Sequence, residues 1–261
     1  MERSYGSDKK EEAIGFIMTT KEKPYPYLKN STIEKESAKL LKSYSKDTGQ
    51  LLTKPVDPID IIEYLGYDVD FRKDGIYEDK NILGGLRIEE KKVEINENLS
   101  EHEGRMNFTA AHETGHIVLH VPLYIEQMAD GQLEIDNNEP ENESLCRKDS
   151  GFEGNKKEPE EWQADKFAAY LLMPSALIKK AFFNYYNRPV NVRRKSILQI
   201  FSRKPAFVKG YQVAEKVIWD GKFDNVSKMA MLNRLIGMRL VKGLSYQKSN
   251  ATQLRIGENH G

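Results

Sequence analysis

Two histidines four residues apart flank a glutamate in the run His112-Glu113-Thr114-Gly115-His116. On a helix of 3.6 residues per turn, positions i and i+4 stack on one face, so both imidazoles reach a single ion. Glu113 follows His112 by about 100° around the axis. That offset sets its carboxylate beside the ion, where it can take a proton from a water without joining the ligand set. The chemistry this predicts is hydrolysis at a metal centre, with His112 and His116 as ligands and Glu113 as general base. A polar helix face with no metal carries the same five letters, so the surroundings must decide.

Those surroundings predict a helix at 101–120. Ser100 followed by Glu103 reads as a capping box, and Pro122 ends the helix from beyond. Phe108, Ala111, Gly115, Val118 and Leu119 fall on one side as a core stripe. Gly115 costs about 1 kcal/mol in a helix interior, which predicts a neighbour pressed close against it.

A second helix completes the set. Pro159 suits its first turn, Glu158, Glu160 and Glu161 favour its positive end, and Pro174 closes it. Ala164, Phe167, Ala168, Leu171 and Leu172 recur at i, i+3, i+4, i+7 and i+8. Glu161 continues that stripe one turn earlier, so its carboxylate faces the packed interface, where a charge is costly unless paired or metal-bound. Glu161 is therefore expected as the third ligand, against the alternative of a surface acid that caps the helix, while Glu160 points elsewhere. Asp165 lies on the same face and can take the N–H of a metal-bound imidazole. Two imidazoles and one carboxylate leave one position of a tetrahedral zinc open for water.

Other residues compete for roles. His120 lies eight residues beyond His112, roughly 12 Å of helix rise, too far to share the ion. It is expected to support a ligand or to sit satisfied in the core. Cys146 is either a thiolate that blocks the fourth position or a spare loop thiol. For the oxyanion donor, Tyr170 and several arginines compete, and the sequence does not choose.

The remaining elements must hold these two helices together. Residues 1–30, broken by Pro24 and Pro26, read as a mobile polar arm. Ser31 or Thr32 opens a helix through about Ser45, with Ala38, Leu40 and Leu41 as its apolar side and Gly49 as its breaker. Asp57-Pro58 opens a second at 59–65, stopped by Gly66. Strand-like runs follow at 67–71, 82–88 and 92–96, with Gly84-Gly85 marking a bulge or a close backbone approach. Residues 123–157 form a long polar connection; from Asp130 to Glu161 it counts 11 acidic and 4 basic residues, and it is expected as a mobile lid beside the site.

With 39% hydrophobic and 31% charged residues in 261, the chain has the composition of a soluble protein, and no apolar run is long enough to span a bilayer. The apolar stretch at 13–18 is too brief for a signal-peptide core. One cysteine gives no disulfide framework, which fits a cytoplasmic location. The net charge is zero, yet residues 175–261 hold 17 Lys+Arg against 4 Asp+Glu, a balance of +13, which leaves −13 on residues 1–174. That asymmetry points to two modules, or to a basic surface for nucleic acid or another acidic partner.

Two stretches together carry a family resemblance. One is Arg105-x-x-Phe108-Thr109-x-Ala111-His112-Glu113-x-Gly115-His116-x-x-Leu119-His120, and the other is Glu161-Trp162-Gln163-Ala164-Asp165-x-Phe167-Ala168-x-x-Leu171-Leu172-Met173-Pro174. Both are similar to motifs of the ImmA/IrrE family of bacterial zinc metallopeptidases, over about residues 35–175. Phe223 to Ser227, followed by Met231 and Arg234-Leu235, resembles the helix-turn-helix-like segment after the peptidase domain in relatives; alternatively Val226, Met229, Ala230, Leu232 and Leu235 form a packing helix.

The resemblance implies an α+β, zincin-like domain with an active-site helix and a small mixed sheet, followed by a helical C-terminal region. It implies His112, His116 and Glu161 around zinc, Glu113 as base and Asp165 behind a ligand; affinity order and availability leave manganese as the competing occupant. It further implies an endopeptidase of narrow specificity that cleaves a helix-turn-helix repressor in a phage, mobile-element or stress-response circuit. The expected division is an arm at 1–30, a peptidase domain at 31–187 with the acidic segment at 123–160, and a basic helical region at 188–261. The rival readings are a DNA-binding regulator with a structural or vestigial zinc site, or a hydrolase of some non-peptide amide.

Overall fold

The structure, a computed structural model, describes residues 25–73, 75–76, 82–129, 144–148, 159–193, 205–224 and 226–245. Most of the expected arm and most of the acidic segment lie outside these residues. Helix α1 (Asn30–Thr48) leads, and it ends where Gly49 takes up φ 73°, a left-handed conformation that glycine adopts without steric cost. Its start differs from the expectation: Lys29 is the N-cap and no side chain caps it, so neither Ser31 nor Thr32 does. Its buried side is Ile33, Ser37, Leu40, Leu41 and Tyr44, whereas Ala38 is exposed. Helix α2 (Pro58–Tyr64) begins as expected, with the Asp57 carboxylate accepting the Ile59 N–H at 2.9 Å.

Four strands form one sheet in the order β1-β3-β2-β4: β1 (Asp68–Arg72), β2 (Ile82–Arg87), β3 (Lys92–Asn96) and β4 (Ser144–Lys148). β1 runs parallel to β3, with Val69 opposite Val93, while β2 is antiparallel to both its neighbours. β4 is a correction to the sequence reading, which took 123–157 as a long polar connection. Strand β4 pairs with β2 across a register shift at Ile82/Gly84, the bulge that Gly84-Gly85 signalled. On β3, buried Glu94 is held by Arg87 at 3.3 Å and Arg72 at 3.7 Å.

The histidine-bearing helix α3 (Glu103–Leu119) follows a short 3-10 turn, Glu97–Leu99. The expected capping box does not form. Ser100 closes that turn, its N–H bonding the Glu97 carbonyl at 2.8 Å, and His102 stands at the N-cap of α3 with no side-chain cap. Pro122 does not end the helical run either, because α4 (Val121–Ala129) begins at once. A proline lacks only an N–H that a helix's first turn leaves unpaired, so Pro122 sits comfortably there.

Helices α5 (Pro159–Leu172), α6 (Ser175–Phe183), α7 (Ala206–Gly221) and α8 (Lys228–Gly237) complete the helical side. A two-residue parallel pair, β5 (Val190–Asn191) with β6 (Val241–Lys242), ties the chain after α6 to the chain after α8. Ser227 caps α8 by accepting the Ala230 N–H at 3.1 Å. No helix among the described residues is long and apolar enough to cross a membrane.

Two cores result, and α3 lies between them. On the sheet side, Ala110 and Ile117 pack with Leu86, Val93 and Ile95. On the helical side, Ala111 and Leu119 join Phe167, Ala168, Phe182, Val217 and Leu235. The sequence predicted a single stripe on α3; in fact Asn107, every residue from Thr109 to Ile117, and Leu119 are buried. A helix buried on all sides must satisfy its polar groups within the protein.

Candidate metal centre

The site exists because α3 and α5 cross closely. A Cβ added at Gly115 would lie 3.0 Å from the Ala164 Cα and 3.2 Å from the Ala164 carbonyl oxygen, so only glycine fits the crossing without displacement. This is the pressed neighbour that the helix-interior glycine signalled. Glu161, one turn before Ala164, then reaches both histidines. Its Oε2 lies 3.3 Å from His112 Nε2, its Oε1 lies 3.3 Å from His116 Nε2, and the two Nε2 atoms are 3.0 Å apart. The three donors all fall within 4.8 Å of one another and form the group that could hold a metal ion among the described residues.

The chemistry of the donor set fits a divalent ion. Two imidazole nitrogens and one carboxylate converge from two helices, and both rings are buried while Glu161 keeps 25% side-chain exposure. Asp165 Oδ1 stands 3.0 Å from His112 Nδ1, so it can hold the far nitrogen of that ring. Glu160 is outside the group but is itself buried, which its position on α5 did not suggest.

Electrostatics separate the two histidines. Burial pushes His112 down, but hydrogen bonds to Asp165 and Glu161 and the charge of Glu113 outweigh it and raise it to about 9. Burial dominates at His116 and lowers it. Burial opposes ionisation of Glu161 as well, yet the His112 and His116 imidazoles beside it prevail and hold its carboxyl below the usual range. Burial, and then the neighbouring His116, lower His120 to about 3.

Glu113 is fully buried on α3, and strand β2 passes directly over it. A Cβ added at Gly84 would lie 2.8 Å from Glu113 Oε1 and 2.5 Å from Thr109 Cγ2. The glycine pair therefore serves both readings the sequence offered, a bulge and a close approach.

The remaining candidates take up different places. His120 is buried behind His116, with their Nδ1 atoms 2.9 Å apart. Its Nε2 faces Gln163 Oε1 at 3.4 Å. Tyr170 is not at the centre: it sits nine residues along α5 from Glu161, roughly 13 Å of rise, with the Arg234 guanidinium 4.4 Å over its ring. Cys146 pairs through its backbone with Gly85, next to the glycine that covers Glu113, and its side chain lies outside the described residues.

Sequence reasoning missed Gln163 and the segment before α1. Gln163 Nε2 donates to the Pro26 carbonyl at 3.0 Å, Tyr25 meets His120 edge-on at 4.9 Å, and Tyr27 stacks on Trp162 at 5.5 Å. The end of the expected mobile arm is thus docked on α5. The one available signal was Gln163 lying between Glu161 and Asp165, which by itself names no chemistry.

No curated protein matches the chain. Residues 80–195 match the peptidase M78 family model, described as the IrrE N-terminal-like domain, and that stretch holds both α3 and α5. That stretch is thus similar to the IrrE N-terminal-like domain of the M78 peptidase family, and His112, Glu113, His116, Glu161 and Asp165 all lie inside it.

Proposed function

We propose that this protein is a zinc-dependent endopeptidase of narrow specificity, and that its substrate is a helix-turn-helix transcriptional repressor in a phage, mobile-element or stress-response circuit. The observation that carries the enzymatic part is the convergence of His112, His116 and Glu161, with Glu113 buried beside them, inside the stretch similar to the M78 peptidase domain. Zinc is the preferred occupant because two imidazoles and a carboxylate are its usual hydrolytic ligands, with manganese as the competitor. The repressor is supported by the motif resemblance.

A divalent ion held by these three side chains would supply Lewis acidity to the scissile carbonyl and to the attacking water. Glu113 accepts the proton of that water and returns it to the amine nitrogen as the C–N bond breaks. Asp165 keeps the His112 ring turned toward the centre. An extended substrate segment adds by main-chain pairing to the outer strand β4, which neighbours the glycine pair over Glu113.

The test compares wild type with Glu113→Gln in the source cell, reading new protein N-termini by mass spectrometry. The substitution keeps the ligands and removes the base, so cleavage should slow by about 10²–10⁴ with the metal retained. Fragments that appear only with wild type name the substrate. The same fragments at the same abundance from both would overturn the proposal.

A further inference from the structure

We infer that the Pro26 carbonyl, Gln163 and His120 form a positioning chain that fixes the tautomer of His116 and so presents its Nε2 lone pair at the metal centre. The inference rests on the metal-site reading above. One member of the chain has no choice of role. A backbone carbonyl only accepts, so the Gln163 side-chain atom 3.0 Å from the Pro26 oxygen must be the amide nitrogen. Gln163 is 1% exposed, and its amide oxygen is thereby turned to His120 Nε2 at 3.4 Å. An oxygen acceptor there requires a proton on His120 Nε2. A neutral imidazole carries one proton, so His120 Nδ1 is left as an acceptor. His116 Nδ1, 2.9 Å away, must then be the donor, and the His116 lone pair falls on Nε2. That nitrogen is the one beside Glu161 and His112.

The polarity cannot reverse without conflict. Turning the Gln163 amide would set its oxygen against the Pro26 oxygen, two acceptors at hydrogen-bond distance. His116, His120 and Gln163 are each 1% exposed, which limits water as a substitute partner. The arrangement differs from that of His112, whose far nitrogen faces the carboxylate of Asp165 directly. At His116 the acceptor is another imidazole, which needs an ordering group of its own. That group comes from Tyr25–Tyr27, held by the stacking of Tyr27 on Trp162 and the edge contact of Tyr25 with His120. His120 and Gln163 are positioning residues here, and the docked segment before α1 is their anchor.

The test reads tautomers directly, by two-bond 1H–15N correlation of the histidine side chains in the metal-free full-length protein, together with zinc affinity. Wild type should show His120 protonated on Nε2 and His116 on Nδ1. Gln163→Met should mix the His120 tautomers and raise the zinc Kd by about ten- to a hundredfold. Tyr27→Ala, at a residue 72% exposed whose ring stacks on Trp162, should shift the tautomers the same way while leaving the fold intact. His120→Asn sets an amide oxygen near the place of Nδ1 and should hold zinc close to wild type, whereas His120→Phe should not. A wild-type His120 protonated on Nδ1, or Gln163→Met with unmoved tautomers and unchanged zinc affinity, would overturn the inference. A wild type that binds no zinc would sink the proposed function instead, and the spectra would still decide the tautomers.

Discussion

His112 and His116 share a helix face but not an electrostatic state. His112 lies among Asp165, Glu161 and Glu113, and although burial opposes its charge, those acids raise it to about 9. A metal takes a neutral imidazole, so in the metal-free protein below pH 9 uptake of the ion must expel the His112 proton. His116 is lowered and already neutral, and Glu161 is held ionised, so neither adds a proton to the exchange near neutrality. The sign follows: zinc affinity should climb about tenfold per pH unit up to pH 9 and flatten above it, with about one proton released per ion at pH 7. Calorimetry in buffers of different ionisation enthalpy measures that release directly. Asp165→Asn keeps the shape and removes the first of the supporting hydrogen bonds from a carboxylate, so the release should shrink and affinity fall about ten- to a hundredfold. A proton count of zero in wild type would show that His112 enters the exchange already neutral.

At the scale of elements, α3 is positioned by two glycines that act in opposite directions. Gly115 lets α5 come near enough for Glu161 to meet the histidines, and Gly84 lets β2 lie on Glu113. Gly84→Ala tests the second contact alone. The new Cβ would press on Thr109 Cγ2 and Glu113 Oε1, at a cost of about 1–3 kcal/mol in denaturant melts. Cleavage should drop severely because the base is displaced, while zinc affinity holds, since the α3–α5 crossing is untouched. Equal losses of both would mean that the strand supports the ligands rather than the base. Both glycines were legible in the sequence, because a glycine inside a helix or strand pattern is anomalous by local rules. So was Glu161, a carboxylate on an apolar stripe. β4 was not legible: Ser-Leu-Cys-Arg-Lys itself has no β-branched residue and sits in an acidic, polar run, and its pairing with β2 depends on a partner about sixty residues earlier. The Pro26 carbonyl was out of reach for a like reason. Its role comes from which side chain it meets 137 positions away, and no local pattern encodes that.

For the whole molecule, the opposite charges of the two parts suggested separate modules, yet the helical core runs through the expected boundary at 187/188. Ile33 and Leu41 of α1, Phe167 and Leu171 of α5, Val217 of α7 and Leu235 of α8 belong to one buried cluster. Arg234 of α8 binds the Glu34 carboxylate of α1, donates to the Met173 carbonyl after α5, and covers the Tyr170 ring of α5. The C-terminal helices therefore buttress the helix that carries Glu161 and Asp165. Removing them would bare a face whose large side chains are worth about 1.5–3 kcal/mol each when buried. A handful of such losses equals the 5–15 kcal/mol by which a typical domain is stable. A chain cut after residue 204 should thus lose its cooperative thermal transition and its zinc affinity together, whereas the full chain should melt in one transition. A truncated chain that melts cooperatively and binds zinc like the full one would return the basic region to the status of an independent module. Loss of both would mean that the C-terminal helices belong to the same folding unit as α5, which carries Glu161 and Asp165.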